Sequence, residues 1–267
     1  MLRTRIVTAA VLIAVLLLVV LGMPPIATVV ALTLVVIAGA WEWSAFLRSA
    51  RSSVRIGYVA SLAVLLPIVW RLTDAPLGRT LVISAAVLWW VGALLWVIFA
   101  PRRVAPWSAA LAGWFALVPC WVSLLRLRLD MPRGAQWLLF VLVLVWVADV
   151  GAFFVGRRFG KMRLAPEVSP GKTWEGVLGG AGVSALVAVA GSGWFGITPF
   201  LFVPLCLAAV GFSVVGDLTE SLLKRFAGVK DSGTLFPGHG GVMDRIDSVT
   251  GAAPVLFFGL LALGVVP

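Results

Sequence analysis

Between Asp217 and Asp247 the chain gathers side chains that can do polar chemistry. The acids are Asp217, Glu220, Asp231, Asp244 and Asp247, the bases Lys224, Arg225, Lys230 and Arg245, and His239 stands beside Gly240 and Gly241. Five of the eleven acids and the only histidine fall here, so the stretch must be wet or its charges partnered. If helicity persists, Asp217, Glu220, Ser221 and Lys224 recur at i, i+3, i+4 and i+7 and share a face, and Asp244 and Asp247 do likewise. Hard carboxylates on one surface repel one another unless a divalent cation binds. Oxygen ligands of this kind, with substrate phosphates completing the shell, suit Mg²⁺. The competing reading is a set of structural ion pairs, Asp217 and Glu220 with Lys224 and Asp244 with Arg245. His239 sits in a Pro-Gly-His-Gly-Gly run too flexible for a helix, where backbone N–H groups can approach an anion. Its imidazole reads as a structural group or hydrogen-bond donor rather than a base.

A second polar segment lies upstream. It runs from Asp149 through Gly156-Arg157-Arg158-Phe159-Gly160 to Ser169-Pro170-Gly171-Lys172-Thr173-Trp174-Glu175-Gly176. Gly-Lys-Thr suggests a phosphate loop, but the Walker pattern needs a glycine where Pro166 stands, so a P-loop is rejected. What survives is a loop of cations, hydroxyls and glycine amides that can hold phosphate oxygens.

Ser221-x-Leu223-Lys224-Arg225, then Lys230-Asp231-x-Gly233, then Phe236-Pro237-x-His239-Gly240-Gly241-x-x-Asp244-Arg245-x-Asp247 resembles the signature of the phosphatidate cytidylyltransferases. Ser169-Pro170-x-Lys172-Thr173-x-Glu175-Gly176 resembles the upstream block of that family. The resemblance covers roughly residues 149 to 251; the first half matches only as generic membrane helices. It implies an α-helical membrane enzyme, often a homodimer, that converts CTP and phosphatidate to CDP-diacylglycerol and pyrophosphate with Mg²⁺. It also implies Asp217, Asp244, Lys224 and Arg225 as catalytic residues, and Asp217, Asp244, Asp247 and Asp149 around the metal. Ser169, Lys172, Thr173, Glu175, Ser221, Lys230, Asp231, His239, Gly240, Gly241 and Arg245 are implied to hold substrate. A phosphate monoester is already an anionic nucleophile and needs no general base, so the barrier is charge. The metal and Lys172, Lys224, Arg225 and Lys230 would lower it. A CTP-dependent lipid or polyprenol kinase would release CDP instead of pyrophosphate. A transporter would favour midplane sites and inverted repeats, and no repeat is visible.

These residues need elements to carry them. The chain is 61% hydrophobic and 12% charged, with mean hydropathy +1.09, where soluble domains average about 25% charged. An all-α polytopic membrane protein follows. The net charge of +10 then reflects the Lys/Arg excess that orients spans, not nucleic-acid binding. Breaks at Gly, Pro and charge clusters predict nine spans, with eight or ten as the alternatives, near 6–22, 26–47, 57–71, 80–100, 107–125, 136–155, 176–197, 199–217 and 248–266. Residues 1–135 read as scaffold, and 136–267 as the catalytic region with polar loops at 156–175 and 218–247. With the N-terminus in the cytoplasm, sixteen of 21 Lys and Arg fall inside and Arg71, Arg79, Arg126, Arg128 and Arg133 outside. Both polar loops then face the cytoplasm from an inner or plasma membrane. Cys120 and Cys206 read as small apolar residues, most of the tryptophans as interfacial belts, and Glu42 as a paired or snorkelling residue, with lining the site as the alternative.

Overall fold

The computed structural model describes residues 2–49, 51–233, 235 and 240–266. Among them nine α-helices run in order: α1 Leu2–Leu17, α2 Pro25–Trp43, α3 Ser52–Leu72, α4 Pro76–Phe99, α5 Pro106–Asp130, α6 Gly134–Phe159, α7 Trp174–Phe195, α8 Pro199–Ala227 and α9 Met243–Ala262. Prolines open α2, α4, α5 and α8, where the missing N–H has no helical partner to lose. Gly196 and Gly228 close α7 and α8 in the left-handed conformation. The eight helices from α2 to α9 are long and apolar enough to cross a membrane, and Val7–Gly22 forms a shorter apolar stretch. The protein is an all-α integral membrane protein.

Three expectations need correction. The third span is not short: α3 starts at Ser52, because Arg55 can join the helix with its guanidinium over the Trp41 ring at 4.3 Å and donating to the Trp41 carbonyl. The upstream polar loop is partly a hairpin, β1 Arg163–Ala165 antiparallel to β2 Ser169–Thr173. Nor are all the tryptophans interfacial. Trp43 and Trp90 are fully buried, Trp43 donating to the Ala109 carbonyl at 2.8 Å, whereas Trp41, Trp107 and Trp174 are exposed.

The central helix is α5, buried nearly continuously from Ala116 to Leu127 and packed against α2, α3, α6 and α9. Cys120 and Cys206 are free and buried, as expected. The α8–α9 crossing is tight. Gly216 lies against the Asp247 carbonyl and Gly251 against the Phe212 carbonyl, with no room for a Cβ at either. Small residues let membrane helices approach this closely, and here the approach sets Asp217 and Glu220 beside Asp247. Opposite the signature end of the bundle, buried Arg126 donates to Asp74 at 2.7 Å, Asp130 at 3.2 Å and the Trp70 carbonyl at 3.0 Å. The hydrogen bond from Arg126 holds the Asp74 carboxyl below its usual range.

Candidate active site

The hairpin docks through an apolar patch that includes Leu164 and Ala165, and through Glu167, which accepts from Arg102 at 3.0 and 3.1 Å. Val168, 2% exposed, inserts among Val97 of α4 and Leu218 and Leu222 of α8. Leu218 follows Asp217 directly, so docking Val168 brings β2 to the carboxylate. Lys172 of β2 forms an ion pair with Asp217, both side chains about one-quarter exposed. The two polar segments recognised separately in the sequence thus meet in one centre. Asp217 also accepts the Ser221 hydroxyl at 3.3 Å.

Thr173 and Glu175, expected to hold substrate, also serve the base of the hairpin. The Thr173 hydroxyl caps α7 by accepting Gly176 N–H at 3.2 Å, an N-cap role suited to threonine. Glu175 accepts the Met162 N–H at 3.2 Å on each oxygen. Ser169 pairs with Ala165 in the ladder and is half-buried.

On α8 and α9 the ion pairs differ from those the sequence suggested. Lys224 bridges Glu220 at 2.6 Å and Asp244 at 2.8 Å, which accounts for two of its three N–H donors. Asp217 pairs with Lys172, not Lys224. Asp244 also accepts Gly241 N–H at 2.8 Å, Ser232 N–H at 3.1 Å and the Ser232 hydroxyl at 2.9 Å. The Gly241 and Ser232 donors converge on Oδ2, while Oδ1 takes the Lys224 ammonium. The glycine amide expected to meet a substrate anion is spent on this carboxylate. Gly240, at φ +81°, makes the turn that aims it, and a Cβ there would strike Asp244. Asp247 accepts its neighbour Ser248 N–H at 2.8 Å and abuts Glu220. Asp149 on α6 lies near Asp217, Lys172 and Ser248. Arg225, Lys230, Asp231 and Arg245 are exposed, and His239 lies outside the described residues.

Among the described residues no three acidic, histidine or cysteine side chains form a ready metal cage. Mg²⁺ at phosphate-transfer sites, however, uses one or two carboxylates plus substrate phosphates. Asp217, Asp247 and Asp149 offer that donor chemistry, and beside them the buried Oε1 of Glu220 has no hydrogen-bond partner. Asp244 offers its Oδ1, which accepts Lys224 at 2.8 Å.

The sequence profile of the cytidylyltransferase family matches residues 3–263, nearly the whole chain. The chain belongs to this family. It is 43% identical to the phosphatidate cytidylyltransferase of Haemophilus influenzae, over 95% of this chain and 96% of that one. It is 40% identical to that of Pseudomonas aeruginosa, over 86% of each. The family match takes in α1 to α5, where the sequence offered only generic membrane helices.

Two residues packed around this centre stood outside the expected site set. Glu42 of α2 is buried against the start of α9, and its signal was a lone acid in an apolar span. Val168 had no signal, because its role depends on the partner it meets.

Proposed function

We propose that the chain transfers the cytidylyl group of CTP to phosphatidate, giving CDP-diacylglycerol and pyrophosphate. The observation that carries the reading is the Lys172–Asp217 pair, which joins a cation-bearing hairpin to a carboxylate-bearing helix pair at one end of an apolar bundle. The relatives' activity on phosphatidate supports it. A lipid phosphate oxygen attacks the α-phosphorus of CTP; the new P–O bond forms as the α–β bridging bond breaks, and pyrophosphate carries away the electron pair. Lys172 and Lys224 offset the charge of two meeting anions, which is the main task in phosphoryl transfer. Glu220 and Asp244 hold the Lys224 ammonium in place, so little reorganisation is needed as charge develops. Asp217, Asp244, Asp247 and Asp149 are the residues that would hold Mg²⁺, which, when bound, neutralises phosphate oxygens.

We place the site on the cytoplasmic face of the inner or plasma membrane, on the Lys/Arg distribution, where a soluble nucleotide meets a lipid headgroup whose chains stay in the leaflet. A homodimer is proposed on family likeness alone. The test uses purified protein, phosphatidate, Mg²⁺ and CTP labelled at the α- or γ-phosphate. The reading requires α-label in the lipid and γ-label in pyrophosphate. γ-Label in the lipid with CDP released would make the protein a lipid kinase, and no labelled lipid would leave a non-enzymatic role.

A further inference from the structure

Glu42 stands near the end of α2, 7% exposed, in a region that carries no motif. Its Oε2 accepts the Met243 N–H at 2.9 Å and lies 3.1 Å from the Ser232 hydroxyl. Met243 is the first residue of α9, and no side chain at the preceding position caps that helix. Its N–H is one of the donors a helix leaves unsatisfied, and α2 supplies the acceptor. A carboxylate also suits the positive end of a helix. Both stems of the α8–α9 connection close on this group. A Cβ at Gly233 or at Gly241 would run into the Glu42 carboxylate. The Ser232 hydroxyl stands between Glu42 and Asp244, 3.1 Å from one and 2.9 Å from the other, and its single proton serves one at a time. Contacts therefore run without a gap from α2 through Ser232 and Met243 to Asp244, and from Asp244 to Lys224.

We infer that Glu42 is a positioning residue for the transfer reaction: it clamps Ser232 and the start of α9, and so keeps Asp244 on the Lys224 ammonium. The inference rests on reading the Asp217–Asp244 cluster as the catalytic centre. Displacing a catalytic group by about 1 Å can lower a rate about a hundredfold. A carboxylate serving only the fold would act on thermal stability, and equally in any background.

The test is a double-mutant cycle of Glu42→Gln and Asp244→Asn, with kcat, KM for CTP and Tm measured in detergent. Glu42→Gln keeps the shape and one acceptor oxygen. It should lower kcat by about tenfold to a hundredfold, as loss of a group supporting a site residue does. KM for CTP should move less than about threefold, and Tm should stay near that of the parent. In the Asp244→Asn background the same change should slow the enzyme no further, because the group Glu42 acts through is already lost. Unchanged kcat in Glu42→Gln overturns the inference, as does an equal loss in both backgrounds. If Glu42→Gln does not fold, Ser232→Ala enters the same cycle with the same criteria. A near-parent rate in Asp244→Asn alone would overturn the catalytic reading itself. A slow Asp244→Asn beside a normal Glu42→Gln removes only the positioning role.

Discussion

Asp217 and Asp244 occupy matching places in the sequence pattern, yet the fold treats them differently. Asp217 has one ammonium and one hydroxyl as partners and is part-exposed, so a metal can compete for it and a nucleotide's phosphates for its lysine. Asp244 instead takes Lys224 on one oxygen and the Gly241 and Ser232 donors on the other. Asp217→Asn should therefore leave the bundle folded and lower turnover by about a hundredfold or more, since it removes a ligand or charge felt most in the transition state. Near-normal kcat with normal Tm would remove Asp217 from the chemistry. Lys172→Gln should raise KM for CTP or lower kcat with little change in Tm, because a part-exposed lysine contributes little to folding. A destabilised variant of normal specific activity would make Lys172 structural.

At the scale of elements, the hairpin and the α3–α4 turn are each held by a small set of contacts that can be tested alone. Val168→Asn places an amide in the apolar patch under the hairpin, an unfavourable change of about 1–3 kcal/mol. It should loosen Lys172 from Asp217 and lower kcat/KM about tenfold, while the main core, a separate cluster, keeps Tm within about 3 °C of the parent. Normal kcat/KM would mean that hairpin docking does not position Lys172. At the opposite end, the depressed Asp74 carboxyl contributes stability that is present above its ordinary value of 3.8 and lost as pH falls through its lower folded-state value. Tm should accordingly drop below about pH 4 in the parent. In Asp74→Asn that part of the acid loss should be missing. Parallel Tm–pH curves for the two proteins would show that the Arg126–Asp74 contact carries no linkage.

For the whole molecule, the proposed orientation puts the hairpin and the α8–α9 connection on the cytoplasmic side. Cysteines introduced at Gly171 and Leu235, both exposed, should label from that side only, and CTP with Mg²⁺ should slow labelling at both. Labelling from the other face would reverse the orientation; protection at one position alone would place the nucleotide on a single element. The amino-acid sequence by itself determined the membrane class, most span positions and the polar residues of the centre. Hydropathy over about 20 residues and fixed spacings such as Asp244-Arg245-x-Asp247 are local quantities, readable without knowing what packs where. The helicity of Asp217 to Lys224 was legible for the same reason. Partners were not. That Lys172 rather than Lys224 meets Asp217 depends on Val168 docking against Leu218, and that Glu42 caps α9 depends on α2 lying beside a helix two hundred residues later in the chain. That Thr173 accepts the Gly176 N–H and Glu175 the Met162 N–H is likewise set by how the hairpin meets α7. Only the tertiary structure decides such assignments, because a charged or polar side chain takes whichever partner the packing of the apolar surfaces brings within about 3 Å.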